Sequence, residues 1–171
     1  MKDVTTNNFG LLIAFVLPGF VLLWEMAPYS NTISGWLGQA TGNAPTVGGF
    51  LYITLASVGV GQLVSTLRWL LIDSLHHATG IQKPNWSFSQ LRSKETVAAF
   101  ERFVEDHYRY YQFHANSLVA CTLAMILRWH TTGFRCCDLV LLIACDILLF
   151  LGSRDNLQRY YRRSESVLSA E

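Results

Sequence analysis

Between Met26 and Leu67 the chain carries no Lys, Arg, Asp or Glu, and this run prolongs an apolar stretch that begins at Phe9. A water-facing surface of that length needs charge, whereas an α-helix crossing a bilayer needs about 20 predominantly apolar residues. The feature excludes an ordinary soluble globule and predicts an integral membrane protein. Hydrophobic residues fill 51% of the 171 positions and the formal net charge is +1, so specific nucleic-acid binding is not expected. No small-x-small cleavage pattern closes the first apolar segment before Glu25, and that segment is expected to stay as an anchor. Cys121, Cys136, Cys137 and Cys145 follow no metal or redox spacing and read as small apolar fillers.

Apolar segments at Phe9 to Trp24, Phe50 to Leu71, Tyr111 to Trp129 and Cys136 to Leu151 predict an all-α, four-pass membrane domain. The transmembrane parts fall at about 9–26, 49–72, 111–130 and 135–152, with a cytoplasmic segment at 78–110 and a basic tail at 153–171. Pro18-Gly19 is expected to kink the first helix, and His130-Thr-Thr-Gly133 makes helices three and four an antiparallel hairpin. Eleven of the thirteen basic residues fall at the termini, between helices two and three, or, for Arg68, near the inner end of helix two, leaving only Arg128 and Arg135 at the other face. Positively charged loops stay inside, so both termini are expected in the cytoplasm and the location is a plasma membrane, the bacterial inner membrane. Tyr108, Tyr110, Tyr111 and Phe113 at one end of helix three, Trp129 at its other end, and Tyr160 and Tyr161 read as interface anchors.

The outer loop, Ala27 to Gly48, contains N-cap residues followed by Ile33, Trp36 and Leu37 at helical spacing, which predicts a short interfacial helix, with a re-entrant segment as the alternative. On the cytoplasmic side, Gly80 and Pro84 stop helix two and Asn85-Trp-Ser-Phe-Ser forms a link. A new amphipathic helix starts near Ser93, with Arg102–Asp106 and Glu105–Arg109 as i,i+4 pairs. Nothing breaks the chain between it and helix three, so one rod of about 55 Å is expected from Ser93 to Trp129.

Arg102 to His107 and Arg109 to His114 both match R-x-x-x-x-H, which resembles the catalytic signature of HEPN ribonucleases. The resemblance covers a dozen residues and implies RNA cleavage where two copies meet in a soluble helical bundle; as plain chemistry the same residues make ion pairs and interface histidines. Asp73, His76, His77, His107 and His114 could supply imidazole and carboxylate to a metal, but the repeated H-x-x-H-H clusters of di-iron membrane enzymes are absent. No cofactor or metal is assigned. The N-terminal block Asn7 to Phe20 resembles small bacterial membrane proteins, which implies no activity.

Ser57, Gly61 and Ser65 recur at spacing four and put small residues on one face of helix two. In lipid such a face is an association surface, either inside the bundle or between copies, and self-association through it is expected. Arg68 and Asp146 stand at similar depth near the inner ends of helices two and four, so they are expected to pair, with Gln62 as a further polar partner. The leading functional expectation is a non-enzymatic membrane subunit, a sensor, anchor or scaffold, as in a bacterial defence or stress system. It would dock a cytoplasmic protein on a face containing Trp86, Phe100, Arg102, His107 and Arg109. The alternatives are a homo-oligomeric pore or channel and a membrane-associated enzyme.

Overall fold

Two of the helices begin at caps that the sequence supplies. Thr46 Oγ1 accepts from the Gly49 amide at 3.0 Å and Ser93 Oγ accepts from the Thr96 amide at 3.1 Å, each satisfying a donor that the first helical turn leaves unpaired. The computed structural model describes residues 4–41, 46–84, 86, 88, 91 and 93–168, with side chains at all of them except 4–9, 11 and 105. Positions 42–45 of the outer loop, 85, 87, 89, 90 and 92 of the cytoplasmic segment, 169–171 of the tail and the Glu105 side chain therefore lie outside the described residues.

Everything regular in the described residues is helical. α1 (Val4–Met26) passes through a 3-10 turn at Ala27–Tyr29 into α2 (Asn31–Thr41). α3 (Val47–Arg68) continues through a π-helical turn at Trp69–Asp73 into α4 (Ser74–Ala78), and Gly80, at φ +97°, then turns the chain. α5 (Lys94–Phe103) continues through a second π-turn at Val104–Tyr108 into α6 (Arg109–Thr132). Gly133, at φ +80°, separates α6 from α7 (Cys136–Leu168). Only glycine takes such φ values without strain.

Three helices are long and apolar enough to cross a membrane: Leu12–Tyr29, Val47–Ala78 and Cys136–Leu168. Their outward apolar residues, such as Leu63 (68% exposed) and Leu148 (69%), form surfaces that lipid rather than water would cover. The fourth expected crossing, α6, does not reach that apolarity because Tyr110, Gln112, His114 and Asn116 fill its first half. It packs against α1, α3 and α7, and buries Tyr111, Gln112, Ala115, Asn116, Val119, Ala120 and Ala124. A helix shielded by its neighbours can carry polar groups that an outer helix cannot.

Long-range contacts fix the directions. Gly19 lies against Ser57 and Gly61 against Phe15, so α1 and α3 are antiparallel. Gly10 meets Arg109 and the Tyr29 hydroxyl donates to the Leu127 carbonyl at 2.9 Å, so α1 and α6 are parallel. Thr122 reaches Asp146, and Gly152 meets His114, so α7 returns antiparallel to α6. The four long helices thus alternate in direction along the chain. α2 folds back on α3 with Leu37 buried beside Leu23 and Ile53, and Trp36 stacks on Tyr52.

α1 runs through Pro18 as one helix to Met26, as the expected segment did; one boundary differs from expectation. The basic tail is helical as far as Leu168, so α7, with 33 residues, is about 50 Å long and far exceeds the expected segment. Ser153, Leu157, Tyr160, Ser164 and Leu168 form its buried stripe beyond the apolar half. Against that stripe pack α5 and the second π-turn, with Trp86, Phe100, Tyr108, Tyr160 and Tyr161 in mutual ring contact.

Candidate functional site

Where α3, α6 and α7 leave their apolar halves, the helices bury a cluster of polar groups. A π-turn bonds residue i to i+5, which stacks residues five apart. The turn after α3 accordingly brings Asp73 under Arg68, with Nη1 to Oδ1 at 3.2 Å. Arg68 is only 4% exposed, and its guanidinium carbon lies 5.1 Å from the centre of the Tyr111 ring. The Tyr111 hydroxyl donates to the same Asp73 carboxylate. The end of α3 and α6 are therefore joined through Tyr111, by its hydroxyl on Asp73 and by the cation–π contact of Arg68, with the charge pair set within the α3 extension itself. The Arg68 Nε is buried without a hydrogen-bond partner.

One turn further, His76 is fully buried, stacked on Phe150 at 4.8 Å, with Nε2 2.9 Å from Ser153 Oγ. The Ser153 hydroxyl donates to the Phe150 carbonyl at 2.8 Å, so toward His76 it must accept. That assigns the proton to Nε2 and leaves Nδ1 a buried acceptor without a partner. Ser153 is thus oriented away from the role of a base-activated nucleophile. Arg154 closes the junction by donating from both terminal nitrogens to Thr79, at 2.6 Å to Oγ1 and 2.9 Å to the carbonyl. A cation at the end of α4 also suits the negative end of the helix dipole.

The structure does not bring Arg68 and Asp146 together. Asp146 accepts from Thr122 Oγ1 at 3.1 Å, whereas Arg68 lies over Tyr111; these two positions on α6 are about 16 Å apart along the helix. Gln62 is exposed on α3 and joins neither. Ser57 and Gly61 are buried by α1 of the same chain: a Cβ on Gly61 would lie 2.1 Å from the Phe15 carbonyl oxygen, and one on Gly19 would lie 1.9 Å from that of Ser57. The small face is used within the fold, with only Ser65 at its half-buried end.

The expected partner face is also divided. Trp86 and Phe100 pack on Tyr160 of α7, and His107 is 9% exposed. Arg109 donates to Gln112 at 3.2 Å, and its expected partner Glu105 lies outside the described side chains. Arg102 alone is on the surface, paired with Asp106 at 3.5 Å. The two R-x-x-x-x-H matches are therefore held by separate local partners: His114 Nδ1 bonds the Tyr110 carbonyl at 2.6 Å, and Arg102 and His107 differ in exposure. Among the described residues no three His, Cys, Asp or Glu side chains converge on a metal-sized site.

Sequence reading missed the His76–Ser153 bond and the stalk formed by α7. The stalk had a signal, since Leu157, Tyr160, Ser164 and Leu168 recur at three and four residues. Fold and junction together define an all-helical chain with three membrane-competent helices and a polar clasp where they leave the apolar layer. Comparison with family models, curated proteins and solved structures returned no match.

Proposed function

We propose that the chain is a multi-pass membrane subunit that acts as sensor, anchor or scaffold and holds a cytoplasmic protein on a helical lobe at the inner face of a bacterial plasma membrane. α6 makes the fourth crossing in this reading. Its 24 residues span about 36 Å, enough for roughly 30 Å of hydrocarbon, and its neighbours screen its polar residues. With four alternating crossings both termini would share one side, and the basic-residue asymmetry supports the cytoplasm as that side.

The lobe carries the proposal. The link at Ile81 to Trp86, α5, the second π-turn and the distal half of α7 build an aromatic core outside the apolar segments. Phe88, in edge contact with Phe100, remains 60% exposed, and Glu101 and Arg102, which follow Phe100 in the chain, are on the surface. An exposed aromatic with charges at its rim is the composition of a protein-docking anchor. The Arg68–Asp73–Tyr111 and His76–Ser153 contacts tie this lobe to the crossing helices, so a load on either bears on the other.

Photocrosslinking groups at Phe88 and at Glu101, in the full chain in its native membrane, should trap one common protein, and a group at Leu148 should trap lipid. Phe88→Ala should lose that complex at unchanged helix content. An intact complex in Phe88→Ala together with Arg102→Ala overturns the docking face, and ion conductance by the chain reconstituted alone favours a pore.

A further inference from the structure

Gly152 of α7 lies so close against His114 of α6 that a Cβ there would come within 2.8 Å of the ring. Seven residues make nearly two helical turns and return to almost the same face. The helices are antiparallel, so the next layer away from Gly152 sets Cys121 against Cys145, and the one after it sets Arg128 against Asp138. The Thr122–Asp146 hydrogen bond at 3.1 Å, one residue further along the chain on each helix, keeps the same register. Cys121, Cys145, Arg128 and Asp138 all line one hollow of about 350 Å³, bounded on its third side by Val21 and Glu25 of α1.

The hollow has two levels. At the inner one, Cys121 and Cys145 are half-buried free thiols on opposite sides of the α6–α7 seam. Met125 follows Cys121 by four residues, which puts its thioether on the same face of α6, one turn nearer the mouth, and it lines the same hollow. Ala124, Leu141 and Leu142 supply apolar wall. At the outer level, about 10 Å further along α7, Glu25 and Asp138 accompany Arg128, which is paired with Glu25 at 3.4 Å. Two carboxylates against one guanidinium leave the mouth with an excess of negative charge.

Sulfur donors from two helices, in an apolar pocket below a negative mouth, suit a soft cation. A hard cation needs oxygen ligands, and the carboxylates stand a layer away from the thiols. A tetrahedral zinc site needs four strong ligands, and among the described residues no third Cys, His, Asp or Glu joins the two thiols. Two thiolates and a thioether are enough for a cuprous or silver ion. Cysteine spacing is silent about the pair because the α6–α7 register makes it.

We infer that Cys121, Cys145 and Met125 form a binding site for a soft monovalent metal ion, Cu(I) or its analogue Ag(I), between α6 and α7. The ion replaces the thiol protons, which leave as two H+ for each Cu+ bound, so no electron is transferred and no oxidant is required. Glu25 and Asp138 draw the cation to the mouth. The site occupies the half of α6 and α7 remote from the docking face at Phe88 and does not depend on it.

The test uses the full chain in nanodiscs under argon, with the exposed Cys136 and Cys137 removed by Cys136→Ser and Cys137→Ser and with copper kept as Cu(I) by ascorbate. The chain should retain copper equimolar with protein against the chelator bicinchoninate, and X-ray absorption at the copper edge should show a first shell of sulfur alone. Cys121→Ser and Cys145→Ser should each abolish retention. Met125→Leu should weaken it by about tenfold or more, a cost typical even of an outer partner of a ligand. Should a serine variant lose helix content, the intact pair still decides: an equimolar amount of Ag+ should shield both thiols from N-ethylmaleimide. Loss of all copper to the chelator, copper retained without the two thiols, or silver that shields one thiol and leaves the other reactive overturns the inference. So does a Cys121–Cys145 disulfide found by mass spectrometry after copper is added, which would make the pair a redox couple instead.

Discussion

Asn116 Nδ2 donates to the carbonyl oxygen of Ala14 at 2.8 Å, and that carbonyl is the one that Pro18, four residues later, leaves without its helical donor. Asn116 is fully buried on α6. A proline inside a helix costs about 3 kcal/mol, partly through the missing bond, and in an apolar layer the free carbonyl must find a donor from a neighbouring helix. α1 can run through Pro18 because α6 supplies it.

The pair should therefore be coupled. Asn116→Leu alone should destabilise the chain by about 1–3 kcal/mol through the orphaned carbonyl. In a Pro18→Ala background the backbone amide gained at that position takes over as donor, and the same Asn116→Leu change should cost markedly less. Thermal unfolding of the four variants in one detergent gives the coupling. Equal costs in both backgrounds would show that Asn116 does not serve the proline.

Gly61 and Gly59 give a matched contrast on α3. A Cβ at 61 would lie 2.1 Å from a backbone oxygen of α1, whereas one at 59 meets nothing within 4 Å. Gly61→Ala should lower stability by about 1–3 kcal/mol or more, and Gly59→Ala should be neutral or slightly stabilising, since glycine is the poorer helix former. Particle mass in detergent should be the same for Gly59→Ala and parent. A parent dimer that Gly61→Ala converts to stable monomers would put the face between copies instead.

The helices were readable because lipid demands apolarity along whole turns and because Ser93 and Gly80 mark a start and a stop with local chemistry. Ser57 and Gly61 were readable as a contact face; that α1 occupies it depends on the matching Gly19 and on how the chain returns. Arg68 was visible as an expensive group but its partner was not. Depth along a helix says nothing about azimuth, and Asp73, five residues on, faces away from Arg68 in an α-helix and toward it only in a π-turn. The π-turns are settled by tertiary packing, which spacing does not encode. The stalk stayed hidden behind its arginines, although the apolar stripe beneath them had helical period.

At the Arg68 clasp, removing one partner of a buried pair typically costs about 3–5 kcal/mol, and the partial exposure of Asp73 (21%) puts this pair at the lower end. Asp73→Asn should thus be strongly destabilising, Tyr111→Phe should cost less, and Asp146→Asn should cost least because it loses only part of the bond from Thr122. Arg68→Met with Asp73→Asn should be milder than Asp73→Asn alone, since no uncompensated charge remains. Denaturant unfolding ranks them. An Asp146→Asn penalty equal to that of Asp73→Asn would return Asp146 to the pair.

His107 gives the chain an acid limit. Burial first, then Arg163, holds its proton affinity below the ordinary value of 6.5, with Asp106 opposing. Below pH 6.5 the unfolded chain takes up a proton that the folded chain refuses, so the unfolded state binds more protons and stability rises with pH across that window. The contribution is complete above 6.5 and is lost as the pH falls toward the depressed folded midpoint. The parent should lose more melting temperature between pH 7.5 and 5 than His107→Gln does. Parallel melting curves for the two proteins across that range would mean that His107 charges as readily in the fold as outside it.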